Sequence, residues 1–146
     1  MTYSDLNLAI TELLQRLYPK RTILSNMRVE GLMRPSFYFY MKPVVSESGN
    51  LNTRHNVMGV YINYLQDVKD EKDLYDTLQT IRDAFGHNIM VGKKSVNVMD
   101  FDWDFNGADR NVAETNITLE WYDNVTKPET AEIMRDVSLR TKYKED

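Results

Sequence analysis

The residues best placed for chemistry are three aspartates on alternate positions of one stretch, Asp100, Asp102 and Asp104 in VNVMDFDWDF. Alternate residues of a strand share a face, which lines these carboxylates up at intervals of about 6.6–7 Å. Hard cations take several oxygens, so a small metal-dependent enzyme using this row is the one catalytic reading on offer. The interval is too wide for all three carboxylates to reach one ion. A row facing solvent or a polar channel is the favoured reading, and Asp109 adds charge without adding a metal loop. His55 and His87 are the only histidines, each at an element end with no nucleophile beside it. None of the serines Ser4, Ser25, Ser36, Ser46, Ser48, Ser95 and Ser138 sits in a G-x-S-x-G elbow. Lys94-Ser95 follows a single glycine, Gly92, and lacks the rest of a phosphate loop. The expectation is a chain with no catalytic, metal-binding or cofactor-binding residues and no cofactor.

Several elements must carry these residues. Leu6, Ile10, Leu13, Leu14 and Leu17 fall on one helical stripe, with Ser4 as the expected N-cap and Pro19 as the stop. Thr22–Ser25 reads as a short strand. The stretch SFYFYMKPVV, Ser36–Val45, is aromatic on both faces. Phe37, Phe39 and Met41 share one face, expected to pack on helices. Tyr38 and Tyr40 share the other, expected to be an assembly surface. Ser46–Thr53 reads as a long polar connection. A strand over Arg54–Leu65 then puts Met58, Val60, Ile62 and Tyr64 on one face and Val57, Gly59, Tyr61 and Asn63 on the other. A second helix is predicted over Glu71–Phe85, with Asp70 as N-cap and Gly86 past its end. Asn88–Val91 reads as a short strand.

Ser95–Phe105 alternates throughout, placing Asn97, Met99, Phe101, Trp103 and Phe105 opposite Val96, Val98 and the three aspartates. In a strand over Val112–Tyr122, Ile117, Leu119 and Trp121 oppose Thr118, Glu120 and Tyr122. Trp103 and Trp121 then share the apolar face, as packing residues. Tyr38, Tyr40, Tyr61 and Tyr122 make the second face rich in tyrosine, which suits contact between copies. This order predicts an α+β fold with a mostly antiparallel or mixed sheet of four to five strands and two helices on one face. A single domain is expected over 1–125, followed by a C-terminal arm over 126–146.

The whole composition points the same way. The 146 residues suit one domain, and 42% hydrophobic with 27% charged residues suit a packed core. A net charge of −4 argues against a dedicated nucleic-acid binder. The absence of cysteine removes disulfides and thiolate chemistry. No apolar run is long enough to span a bilayer, and MTYSDLNLAI lacks signal-peptide character, so synthesis in the cytoplasm without a membrane partner is expected.

Taken in order, DLNLAITELLQRLYP, RVEGLMRPSFYFYMKP, RHNVMGVYINYLQD, DEKDLYDTLQTIRDAF, VNVMDFDWDF and NITLEWYD resemble the tail terminator (tail-completion) proteins of tailed bacteriophages. The likeness covers roughly residues 5–123, and RPSFYFY is its sharpest piece. NGADRNVAET is longer than the tight turn of the family pattern. The resemblance implies a structural virion protein, made in the host cytoplasm, that forms a homohexameric ring at the head-proximal end of the tail. Its implied partners are the tail tube protein, the neck or head-closure protein and, in contractile tails, the sheath. DNA crosses the lumen without specific binding, and Asp100, Asp102 and Asp104 would line that lumen and repel it. Ser46–Thr53, Asn106–Val112 and the C-terminal arm are the expected docking elements. A neck or head–tail connector protein of the same particle is the alternative within this class. The family supplies no catalytic residues.

Overall fold

In a computed structural model, the described residues are 1–25, 35–106 and 112–125. The first helix, α1, spans Tyr3–Leu17. Thr2 caps it rather than Ser4, because Thr2 and Asp5 form a reciprocal pair. The Asp5 N–H donates to Thr2 Oγ1 at 3.1 Å, and the Thr2 N–H donates to Asp5 Oδ2 at 2.9 Å. Those bonds, from the Thr2 backbone first, hold the Asp5 carboxyl below its ordinary range. The second helix, α2, spans Glu71–Phe85 between the Asp70 cap and Gly86 at φ 56°, as its sequence signals predict.

Six strands form one sheet in the order β1-β2-β3-β6-β5-β4: β1 Thr22–Ser25, β2 Ser36–Asn50, β3 Thr53–Leu65, β4 Asn88–Val91, β5 Lys94–Asn106 and β6 Val112–Asn124. β1 runs parallel to β2, and all other neighbours are antiparallel. The expected four to five strands become six because both short segments pair, one at each side of the sheet.

Both helices lie on one face of this sheet. Leu6, Ile10 and Leu14 from α1, and Leu74, Leu78, Ile81 and Phe85 from α2, enter one core cluster. Opposite them are Phe37 and Phe39, Met58, Val60, Ile62 and Tyr64, then Ile117, Leu119 and Trp121. Met41 is partly buried against the same cluster. Each such large apolar side chain contributes about 1.5–3 kcal/mol when fully buried, so the choice of face on β2, β3 and β6 is strongly fixed.

Two expectations are corrected. Ser46–Thr53 is not a long connection. β2 and β3 stay paired to Asn50↔Thr53, leaving Leu51 and Asn52 as the turn. Side chains across the ladder support the polar tip: Ser46 Oγ donates to Asn56 Oδ1 at 3.0 Å, and Glu47 meets His55.

The second correction is in β5, which does not alternate without a break. Its register against β6 shifts between Val98↔Leu119 and Asp100↔Thr118, leaving Met99 as a bulge. Val96 and Val98 therefore share the helix-covered face with Phe101 and Phe105 beyond the bulge. Trp103 shares it too but lies at its margin, 50% exposed, whereas Trp121 is buried. Of the expected docking elements, 107–111 and the arm 126–146 lie outside the described residues.

At the start of α2, a polar network ties helix to sheet. Arg21 pairs with Asp73 at 3.3 Å and lies over the Tyr18 and Tyr64 rings at 4.1 and 4.5 Å. Tyr64 Oη also donates to Asp73, and Gln66 Nε2 does so at 2.8 Å. Burial alone would raise the Asp73 carboxyl, but these donors outweigh it and hold it below its ordinary range. Burial, then the Asp73 contact, pushes the Tyr64 phenol up.

Candidate assembly surface

Among the described residues, no helix covers the second face of the sheet. The pairing register sets its residues in rows across β2, β3, β6 and β5. One row reads Tyr38, Asn63, Glu114, Asp104. The next reads Tyr40, Tyr61, Asn116, Asp102. The third reads Lys42, Gly59, Thr118, Asp100. Beyond these, Val45, Val57 and Glu120 lead to Glu47, His55 and Tyr122 at the hairpin tip. Tyr38, Tyr40, Asp100, Asp102 and Asp104 thus share one face, tyrosines on the β2 flank and aspartates on the β5 flank.

The tyrosine flank is ordered by stacking. The Tyr40 and Tyr61 rings lie 4.7 Å apart and 10° from parallel, and Tyr38 follows at 5.9 Å from Tyr40. Gly59 makes room for this: a Cβ there would come within 3.3 Å of Tyr61 Cε2. Burial, then nearby Glu114, pushes the Tyr40 phenol up.

The aspartate flank is ordered by backbone. Val98 donates its N–H to the His87 carbonyl at 2.9 Å, on the β4 side of β5. The bulge at Met99 reverses the phase, so the N–H groups of Phe101, Trp103 and Phe105 point to that same side. β4 pairs with β5 only as far as Asn97, so beyond it no described strand accepts them. The aspartates do. Phe101 N–H donates to Asp100 Oδ1 at 2.9 Å, Trp103 N–H to Asp102 Oδ1 at 2.9 Å, and Phe105 N–H to Asp104 Oδ1 at 2.8 Å. An open edge with free N–H groups is a template for another strand, and here alternate donors are already taken.

A histidine clamp closes the far end of the face. His55 Nδ1 is 2.9 Å from Glu47 Oε1, and Nε2 is 2.8 Å from Glu120 Oε2. Carboxylates only accept, so the protonated ring, with an N–H on each nitrogen, satisfies both contacts at once. Hydrogen bonding from Glu47, then Glu120, raises the His55 pKa. The ring also stacks on Tyr122 at 4.8 Å. His55 was passed over in the sequence because neither glutamate is its neighbour in the chain; only the strand register brings the three together.

Among the described residues, no group of three or more His, Asp or Glu is placed to hold a metal ion. A groove of about 620 Å³ between α1 and the β4–β5 turn is lined by Met1, Asp5, Leu8, Ala9, Glu12, Val91, Gly92, Lys93 and Lys94. No described helix is long and apolar enough to cross a membrane.

Among the solved structures that match, one shares the fold at 14% identity and a TM-score of 0.54, covering 88% of this chain and 99% of that one. No curated protein matches. A family model described as phage tail terminator protein matches residues 5–131, most of the 146-residue chain. The chain therefore belongs to the phage tail terminator family, a family of structural tail proteins.

Proposed function

We propose that the chain caps the head-proximal end of a phage tail tube as a homohexameric ring, and that it joins the tube to the neck or head-closure protein. Capping works by shape: the ring docks on one end of the tube and presents a surface that the tube protein cannot extend. The observation that carries this reading is the sheet face that no described helix covers, in a chain whose family match spans residues 5–131. That face holds stacked tyrosines on one flank and carboxylates on the other, so its two flanks suit contact between copies.

In the ring the open face turns towards the lumen. Asp100, Asp102, Asp104, Glu114 and Glu120 then outnumber Lys42 and a protonated His55 on it. A lumen of that sign repels the DNA backbone and lets it pass without sticking. The test is a phage unable to make this chain. Tails of uncontrolled length that fail to join heads, restored by supplying the chain, support the reading. Tails of normal length joined to heads contradict it.

A further inference from the structure

We propose that neighbouring copies meet at a seam built from side chains, in which Lys42 and Tyr40 of one copy reach Asp100 and Asp102 of the next. This rests on the ring reading and names the contact that closes the ring.

Neither flank of the sheet offers a clean backbone edge. On β5 the outward N–H groups of Phe101, Trp103 and Phe105 are held by their own chain's carboxylates. On β2, β1 pairs only as far as Phe39. Beyond it the edge contains Pro43, which has no N–H, and register breaks between Pro43 and Val45 and between Ser48 and Asn50. Edge-to-edge strand pairing is blocked at both sides, which leaves the side chains.

Those side chains are complementary. Each aspartate commits Oδ1 to its own strand, which fixes the carboxylate and leaves Oδ2 free to accept. Across the face, Lys42 is exposed. Neither its ammonium nor the Tyr40 hydroxyl has a partner among the described residues. Among the described residues, one flank therefore holds unpaired donors and the other unpaired acceptors. They also stand level, since Lys42 and Asp100 end one row and Tyr40 and Asp102 end the next. β2 and β5 run in opposite directions, so placing β2 of one copy beside β5 of the next continues the antiparallel order. A stagger of two residues sets Lys42 against Asp102 instead, which is the same chemistry. The contact is heterologous, so repeating it gives a ring when the rotation between copies closes. It cannot form within one chain, because β2 and β5 are three strand spacings apart, about 14 Å.

The experiment is zero-length carbodiimide coupling of amine to carboxylate. An equal mixture of ¹⁵N-labelled and unlabelled chain is used, alone and with the tube protein of the same phage. Crosslinked peptides are read by mass spectrometry, and assembly by sedimentation. The expected result is a mixed-isotope crosslink from Lys42 to Asp100 or Asp102. Lys42→Glu should weaken association about tenfold or more, and Asp100→Lys in the same chain should restore it. Circular dichroism checks that both variants stay folded. Assembled chain without the crosslink, or Lys42→Glu that assembles as well as the parent, overturns the seam and leaves the ring reading standing. A chain that stays monomeric even with tube protein overturns both.

Discussion

Val98 and Asp100 are two residues apart on one strand and point to opposite faces of the sheet. Val98 stands opposite Leu119 on the helix-covered side, and Asp100 stands opposite Thr118 on the open side. The Met99 bulge between them lets one strand bury valines at its start and phenylalanines at its end. It also decides where the aspartates point. Deleting Met99 restores strict alternation. Val96, Val98, Phe101 and Phe105 then stay on one face and Asp100, Asp102 and Asp104 on the other, now without the extra residue. The faces are kept, so we expect the fold to survive the deletion with a change of under about 1 kcal/mol, measured by chemical denaturation. Met99→Ala, which keeps the extra residue, should cost under about 1 kcal/mol because the side chain is exposed.

That bulge also shows where the sequence was legible. The α2 boundaries followed from Asp70, the acidic first turn and Gly86, all local signals. The faces of β2, β3 and β6 followed from unbroken two-residue alternation. In β5 the apolar positions change phase, from Val96 and Val98 to Phe101, Trp103 and Phe105, and a reading in strict alternation passes over the extra residue that this change marks. The hairpin tip was misread for a related reason. Ser46, Glu47, Ser48, Gly49 and Asn50 have turn chemistry, and only the partners opposite them, Asn56 and His55, keep them in the sheet. The Asp100/Asp102/Asp104 row was legible as a row, but not as a set of N–H acceptors, because that depends on β4 ending short.

The aspartate caps carry their own prediction. Replacing Asp100, Asp102 and Asp104 together by valine frees three edge N–H groups and removes three charges from an exposed strand. The fold should survive, since all three side chains are exposed. Light scattering should show concentration-dependent aggregation that the parent lacks.

His55 predicts a pH dependence. Its folded-state pKa is raised by Glu47 and Glu120. Its contribution is therefore fully present below the unfolded value of about 6.5. It is lost as pH rises through the folded value. Melting temperature should fall over that window in the parent, and His55→Gln should flatten the fall.

The Asp73 network predicts the opposite sign at acid pH. Its folded pKa is lowered, so its contribution is present above about 3.9 and lost as pH falls through the folded value. Asp73→Ala leaves Tyr64 and Arg21 without their acceptor. We expect a cost of about 1–2 kcal/mol by urea denaturation, kept small by the partial exposure of the pair.

The central claim is that this chain stops tube growth. The most direct measurement is the length distribution of tubes polymerised from the tube protein of the same phage, with and without the chain, viewed by electron microscopy. The account predicts that added chain halts elongation and appears as a ring at one end of each tube. Tubes that grow to the same lengths with bare ends would contradict it.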